Sequence, residues 1–519
     1  MRNVDKAINR STFFDTLFSK NVSRATQSLE PHTEPLTKAD VYHLLKRCCF
    51  TIDVNFAQTL IGKSASEAVD LLLSNAATLS LPAIPFDINY RFPNPGLLAG
   101  AANGEQRYKN LTRIFEENQK LILWWLDLMN SDTRSLSEKM TFFWHGHFTT
   151  QYDGGEPIPA QWMYRQNKLY RDLFLGKFRD FLIQVTIDGA MLLYLNGSQN
   201  VFYAPNENYA RELMELFSIG IGDGHYTEDD IRQAAKVLTG WEANHFLESE
   251  KVYVPKLHTD RFAHETKTVF GESFVVDYNV TRENVLTFSI EKLVDLILTK
   301  KAEYVGVFMA RKFYRYFVYS KPITDDNAII NEMASLFVNS DYDVQKVIRT
   351  LLTSKHFFDP EIRGINIKSP LENMISFTRH FPVANEDLAE WIKDFGQQPL
   401  NPPNVSGWKG YRSWITTKTL PGFIRIFNGI VREKSNLEVG QWAASLDNFN
   451  DSYGITESIV LLFMGQIPED SRLKKLENAL LGGAPYYEWP ELSQNRENAG
   501  LRVKALFKEM FKMPEFYLS

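Results

Sequence analysis

The stretch Pro205–Trp241, PNENYARELMELFSIGIGDGHYTEDDIRQAAKVLTGW, leaves room for little except two helices around a glycine-rich turn. At about 100° per residue from Asn206, Tyr209, Ala210, Leu213, Met214, Leu216 and Phe217 share one face. Glu207, Asn208, Arg211, Glu212 and Glu215 share the other. Pro205 suits a first helical turn, where its missing N–H would be unpaired anyway. Gly220, Gly222 and Gly224 stop the helix. Thr227, with Asp230 three residues on, opens the second helix as a capping-box variant. Ile231, Ala234, Ala235 and Leu238 continue its apolar stripe and Gly240 closes it. The polar turn between the helices carries Asp223, His225 and Tyr226.

The same grammar recurs along the chain. Thr37 with Asp40, Ser64 with Glu67 and Ser135 with Glu138 each read as a capped helix start. A long helix is expected over about 105–130, and its end, LILWWLDLM, is apolar nearly all round. The helix after Ser135 carries Phe142, Phe143, Trp144, His145 and His147, and GGEPIP over 154–159 breaks the pattern. Residues 80–104 form an irregular loop containing Pro82, Pro85, Pro93 and Pro95. Over 245–280 the pattern changes to KVYVPKL, TKTVFG and ESFVVDY, a small β insertion of two or three strands. Helical periodicity then returns, interrupted by the Pro/Gly/Asn-rich loop 396–411. The expected fold is mainly α: a polar, weakly packed leader over 1–35, then one large multi-helix domain over 36–519 with the β insertion near 245–280.

A chain of 519 residues can bury a large core. Its net charge of −6 argues against a global nucleic-acid footprint, although a local basic patch is compatible with it. Cys48 and Cys49 are adjacent, so neither a disulfide framework nor a cysteine zinc site is expected. No apolar run approaches the roughly 20 residues that span a bilayer. The N-terminus MRNVDKAINRSTFFDTLFSK has no continuous apolar stretch and no twin-arginine pair. A cytoplasmic location is therefore expected, and a chain whose leader had been removed would read the same way.

HLLKRCCF, FFWHGHF, PNENYARELMELFSIG, YTEDDIRQAAKVLTGW, HTDRFAHETKTVFG, ARKFYRYFV, IKSPLE and PLNPPNVSGWKGYRSW together resemble one bacterial family, the domain of unknown function numbered 1800. They span residues 43–414. The chain departs from the family pattern at Cys48-Cys49, where Ala-Gly is usual, and at Thr51, where Gly is usual. The resemblance implies no particular reaction. It does imply a partner, because members are often encoded beside an exported sulfatase-like family.

Chemistry must therefore be sought in the residues. His145 and His147 flank Gly146 and are the candidate metal ligands, a divalent metal being the cofactor such a pair would take. On a regular helix the two rings would point about 200° apart, so one metal takes both only if the helix ends near Gly146. Otherwise one ring packs among the aromatics and the other caps the helix. Glu207, Arg211 and Glu212 are the candidate catalytic residues, with Glu212 as general base in a buried acid cluster neutralised by Arg211. The alternative is a solvated i, i+4 ladder. His258, Asp260, His264 and Lys267 cluster at the entry to the β insertion, where His258 and Asp260 could face together on a strand as a metal-binding H-x-D pair. The alternative is a polar turn stabilised by the aspartate. Asn206, Asn208, His225 and Tyr226 are candidate binding residues, as are Trp408 and Trp414 if exposed as a stacking surface for a sugar or peptide. Two functions follow. One is a metal-assisted or acid/base enzyme around a His/Glu centre. The other is a non-catalytic binding partner or scaffold for the co-encoded sulfatase-like protein. At least one of His145 and His147 is expected to meet a polar residue of 206–215.

Overall fold

The computed structural model describes residues 28–92, 104–154, 157–276 and 280–519. The leader over 1–27, Pro93 and Pro95 of the long loop, and residues 155–156 of GGEPIP lie outside the described residues. Residues 28–35 lie against the fold: Leu29 is buried, and the His32 N–H donates to the Thr353 carbonyl at 2.8 Å.

The structure is 61% helical, and among the described residues strand is limited to two small two-stranded sheets. In chain order the elements that matter below begin with α1 (Lys38–Cys48), α2 (Gly104–Ser131), α3 (Ser137–His147) and α4 (Ala160–Leu173). Then come α5 (Asn208–Glu212), continued by the π-helical turn Leu213–Ser218, and α6 (Glu228–Val237). The hairpins β1 (Trp241–Leu247) with β2 (Val252–Leu257) and β3 (Lys267–Val269) with β4 (Glu272–Phe274) are both antiparallel. They are followed by α7 (Ala302–Phe317) and α8 (Pro370–Thr378).

The capping boxes at Thr37–Asp40, Ser64–Glu67 and Thr227–Asp230 all form, each with the side chain and backbone bonded reciprocally. The one expected at Ser135–Glu138 does not. α3 starts after Leu136 with no side-chain cap. Ser135 Oγ instead donates to Asp132 Oδ2 at 2.5 Å, and Glu138 turns inward. There it accepts from the guanidinium of Arg171 on α4 and, at 2.9 Å, from the Trp125 indole of α2. The pair Glu138–Arg171 is buried on both sides and ties α2, α3 and α4 together.

α5 also begins later than Pro205 suggested, with Glu207 as its N-cap residue. Its end widens: the Ile219 and Gly220 N–H groups both donate to the Met214 carbonyl, at 2.9 and 3.0 Å. Ser218 Oγ takes up the Leu213 carbonyl at 2.5 Å. This π turn leaves the Leu216 and Phe217 carbonyls in need of donors from elsewhere in the fold. In the β region, β1 begins at Trp241, ahead of the expected start at 245. β3 and β4 are joined by Phe270 (φ 51°) and Gly271 (φ 79°), the left-handed pair that a two-residue hairpin turn requires.

Candidate functional site

α3 delivers its two histidines to opposite sides, as its helical period dictates. His145 faces the 396–411 loop. Its Nε2 accepts the Leu400 N–H at 3.0 Å, and its ring sits edge-on to Trp125 and Trp408. Leu400 has φ 62°, so this bond helps hold a left-handed residue in place. Burial pushes His145 down to about 3, so the ring is neutral.

His147 faces the π turn. Its Nε2 lies 3.0 Å from the Phe217 carbonyl, and its Nδ1 lies 2.8 Å from Lys312 Nζ. A carbonyl can only accept, so the hydrogen is on Nε2 and Nδ1 presents a lone pair to the amine. Lys312 also donates to the Leu216 carbonyl at 3.3 Å. A histidine and a lysine thus serve the two carbonyls that the π turn leaves over. Burial drives the His147 pKa well below its usual value, and the neighbouring Lys312 adds to this against the opposing Phe217 hydrogen bond. Burial, with Arg315 nearby, pushes Lys312 down to about 7. This brings the uncharged form of the amine within reach at neutral pH.

The pair stands at the wall of a cavity of about 250 Å³. α3 contributes Phe142, Gly146 and His147 to it, and α7 contributes Lys312, Arg315 and Tyr316. Ser369 and Glu372 at the start of α8 close another side. The stretch 406–414 covers it with Trp408, Lys409, Tyr411 and Trp414. That stretch can lie so close to α3 because of Gly407. At φ +75° it is left-handed, and a Cβ there would stand 2.6 Å from the Gly146 carbonyl. Trp408 stacks on Phe142, with ring centroids 5.3 Å apart and planes inclined by 17°. FFWHGHF, ARKFYRYFV, IKSPLE and the end of PLNPPNVSGWKGYRSW, far apart in sequence, thus meet in one space. The chain belongs to the family described as Protein of unknown function (DUF1800). The match runs over residues 43–518, nearly the whole chain. No curated protein and no solved structure matches it.

In this DUF1800 chain the other sequence-predicted residues lie apart from the cavity. Arg211 reaches Glu228 at 2.8 Å and Glu207 and Glu215 at 3.4 Å, all on partly exposed side chains. This is the ladder arrangement. Glu212 is half-buried, and burial followed by the Glu215 charge raises its carboxyl pKa against the pull of Arg211. Asn206 and Asn208 organise the helix start: Asn206 Oδ1 accepts the Asn208 N–H at 2.9 Å, and Asn208 Nδ2 donates to the Leu195 carbonyl at 3.3 Å. His225 Nδ1 bonds the Gly220 carbonyl at 2.7 Å, with its ring against Tyr304, and Tyr226 bonds Glu215. His258 pairs with Glu242 across β1 and β2. Among the described residues no group of three or more His, Cys, Asp or Glu side chains could hold a metal ion. Trp408 and Trp414 do line the cavity, and FFWHGHF does meet the expected 206–217 helix, through His147. The contact is to the Phe217 backbone carbonyl, two residues past Glu215, and not to a polar residue of 206–215 as expected.

Sequence reasoning missed Lys312, Arg315, Asn366, Glu372 and Gln397, which also line the cavity. One signal was available. Phe308, Lys312, Arg315 and Tyr316 share a helical face, so two cations interrupt an otherwise aromatic stripe.

Proposed function

We propose that this chain is an acid/base enzyme whose base is the Lys312 amine, with His147 as the residue that positions it. The observation that carries the reading is the 2.8 Å contact between Lys312 Nζ and a His147 Nδ1 that can only accept, at the wall of a cavity. An amine near neutrality in its protonation balance is well matched to proton abstraction at working pH. The Phe217 carbonyl fixes the imidazole tautomer, as an outer partner does for many working histidines. No helix among the described residues is long and apolar enough to cross a membrane.

Competitive acetylation of the native chain with acetic anhydride, read by mass spectrometry from pH 5 to 11, tests this. Lys312 should reach half its full reactivity near pH 7, whereas exposed lysines do so near about 10.4. Replacing His147 by Gln should move that midpoint, which a purely structural histidine elsewhere would not do. A Lys312 midpoint near 10 removes the base and the proposal with it. The alternative is then a docking role, for which the paired rings of Phe202 and Tyr203, 49% and 72% exposed, offer an apolar surface.

A further inference from the structure

The cavity beside Lys312 is unusual in its charge. Lys312, Arg315 and Lys409 all line it, in a chain whose net charge is −6. Arg315 Nε donates to the Ser320 carbonyl at 2.9 Å, and Lys312 is engaged as described above. Among the described residues none of the three cations has a carboxylate partner. Glu372 is the one acidic side chain among the described lining residues, and it is already committed. It accepts from the Lys139 ammonium on one oxygen and from the Ser369 N–H, at 2.8 Å, on the other. Burial alone would raise its pKa, but Lys139 and the Ser369 bonds hold it below the ordinary carboxylate range. Arg315 and Lys409 therefore give the cavity positive charge without a protein counter-charge, and Lys312 adds to it only in its protonated form.

The neutral groups point the same way. Gln397 Oε1 accepts the Leu371 N–H at 2.8 Å, and Asn366 Oδ1 accepts the Ser320 N–H at 3.3 Å. A backbone N–H can only donate, so both amide orientations are fixed. Each commits its oxygen to a backbone N–H, so what the rest of the amide can offer a ligand is a donor. The wall thus offers amide, ammonium and guanidinium donors, a surface suited to an acceptor-only ligand group such as an oxyanion. Beside these donors lie the half-buried rings of Tyr411, Tyr316 and Trp408, the last with one face covered by Phe142. They form aromatic surface on which the C–H face of a sugar ring can pack. The volume of about 250 Å³ admits a compact ligand, not a folded chain.

We propose that this cavity binds an acidic sugar. Its carboxylate, sulfate or phosphate group lies between Arg315 and Lys409, its ring lies against Trp408 and Tyr411, and Lys312 is left to act as the base. This deepens the acid/base reading by naming its substrate class, and it rests on that reading only for what happens after binding. Binding and Lys312 labelling can fail separately, so the two are distinguishable.

The test is isothermal titration calorimetry of the full chain at pH 7 and low salt with glucuronate, glucose 6-sulfate and glucose 6-phosphate, and with glucose as the neutral probe. At least one acidic sugar should bind tenfold or more tightly than glucose, and the best of them identifies the oxyanion. The double substitution R315Q and K409Q should weaken that binding at least tenfold. Arg311→Gln, an exposed change on the same helix outside the cavity wall, should alter it less than twofold. If the double variant does not fold, salt gives the same answer on the unaltered chain. Raising salt severalfold should weaken acidic-sugar binding and leave glucose unaffected. Acidic sugars that bind no better than glucose, or binding indifferent to both R315Q/K409Q and salt, would overturn the proposal.

Discussion

At the scale of single residues the fold depends on where its buried charges find partners. Glu138 and Arg171 are both nearly inaccessible, and their contact joins three helices. Removing one member leaves the other charged and buried, which costs about 3–5 kcal/mol in comparable pairs. Arg171→Met should therefore lower the urea midpoint strongly. Adding Glu138→Gln should restore part of the loss, because the stranded charge is gone. If the double variant is as unstable as the sum of the singles, the two residues act independently and the account of α3 is wrong. The same pair explains a misreading. Ser135-x-x-Glu138 has the form of a capping box, but the pattern does not encode whether a glutamate reaches back to its own helix start or across to an arginine 33 residues away. At Thr227–Asp230, where no better partner intervenes, the pattern and the structure agree.

At the scale of elements, local periodicity gave the helices and left their ends uncertain. The apolar face of α5 is in place, with Tyr209, Ala210, Leu213, Met214 and Phe217 buried. The π turn that ends it was not legible, since a one-residue widening leaves no mark on the hydrophobic pattern. Its consequence, two carbonyls served by Lys312 and His147, lies between elements and so beyond any local reading. The loop over 396–411 was legible as ordered from its Pro and Gly content, but its docking onto α3 depends on Gly407. Gly407→Ala combines a left-handed backbone with a Cβ 2.6 Å from the Gly146 carbonyl. Gly62→Ala shares the positive φ, at +81°, but meets nothing within 4 Å. The first should cost at least about 1 kcal/mol more than the second, and should expose the 400–414 stretch to limited proteolysis. Equal melting temperatures and equal digestion would mean that the loop does not depend on this close approach.

At the scale of the whole molecule, the buried lysines set a pH dependence that the composition conceals. Lys312 and Lys368 are pushed down to about 7 and Lys267 to about 8, each by burial first, and Lys46 is also lowered well below its usual value. Lys368 is held by the Phe463 and Phe516 carbonyls at 2.7 and 2.8 Å, and Lys46 by Phe463 at 2.9 Å. Carbonyl acceptors hold the amines in place without supplying a full counter-charge. In the unfolded chain each lysine titrates near 10.4. Between the folded and unfolded values the unfolded state binds more protons, so stability rises with pH across that interval. Below about 7 the histidines act in the same direction: His145 and His380 sit at about 3, and acid must charge them on unfolding. Of the opposing groups, Asp132 and Asp188 at about 6 have largely titrated by pH 7. The buried thiols of Cys48, pushed up to about 12, and Cys49 begin to oppose the climb above about 8.5 but are outnumbered by the lysines. Above about 10 the buried tyrosines, including Tyr170 and Tyr517, reverse the trend because burial favours their neutral form. The melting temperature should therefore climb from pH 7 to pH 9, by at least about 2 °C on the usual scale relating stability to melting, and should fall beyond pH 10. Lys368→Met should flatten the climb, since it removes one of the titrating groups while leaving the cavity lining unchanged. A melting temperature that stays level or falls between pH 7 and pH 9 would mean that these amines remain charged in the folded chain, and Lys312 would then lose its standing as a base.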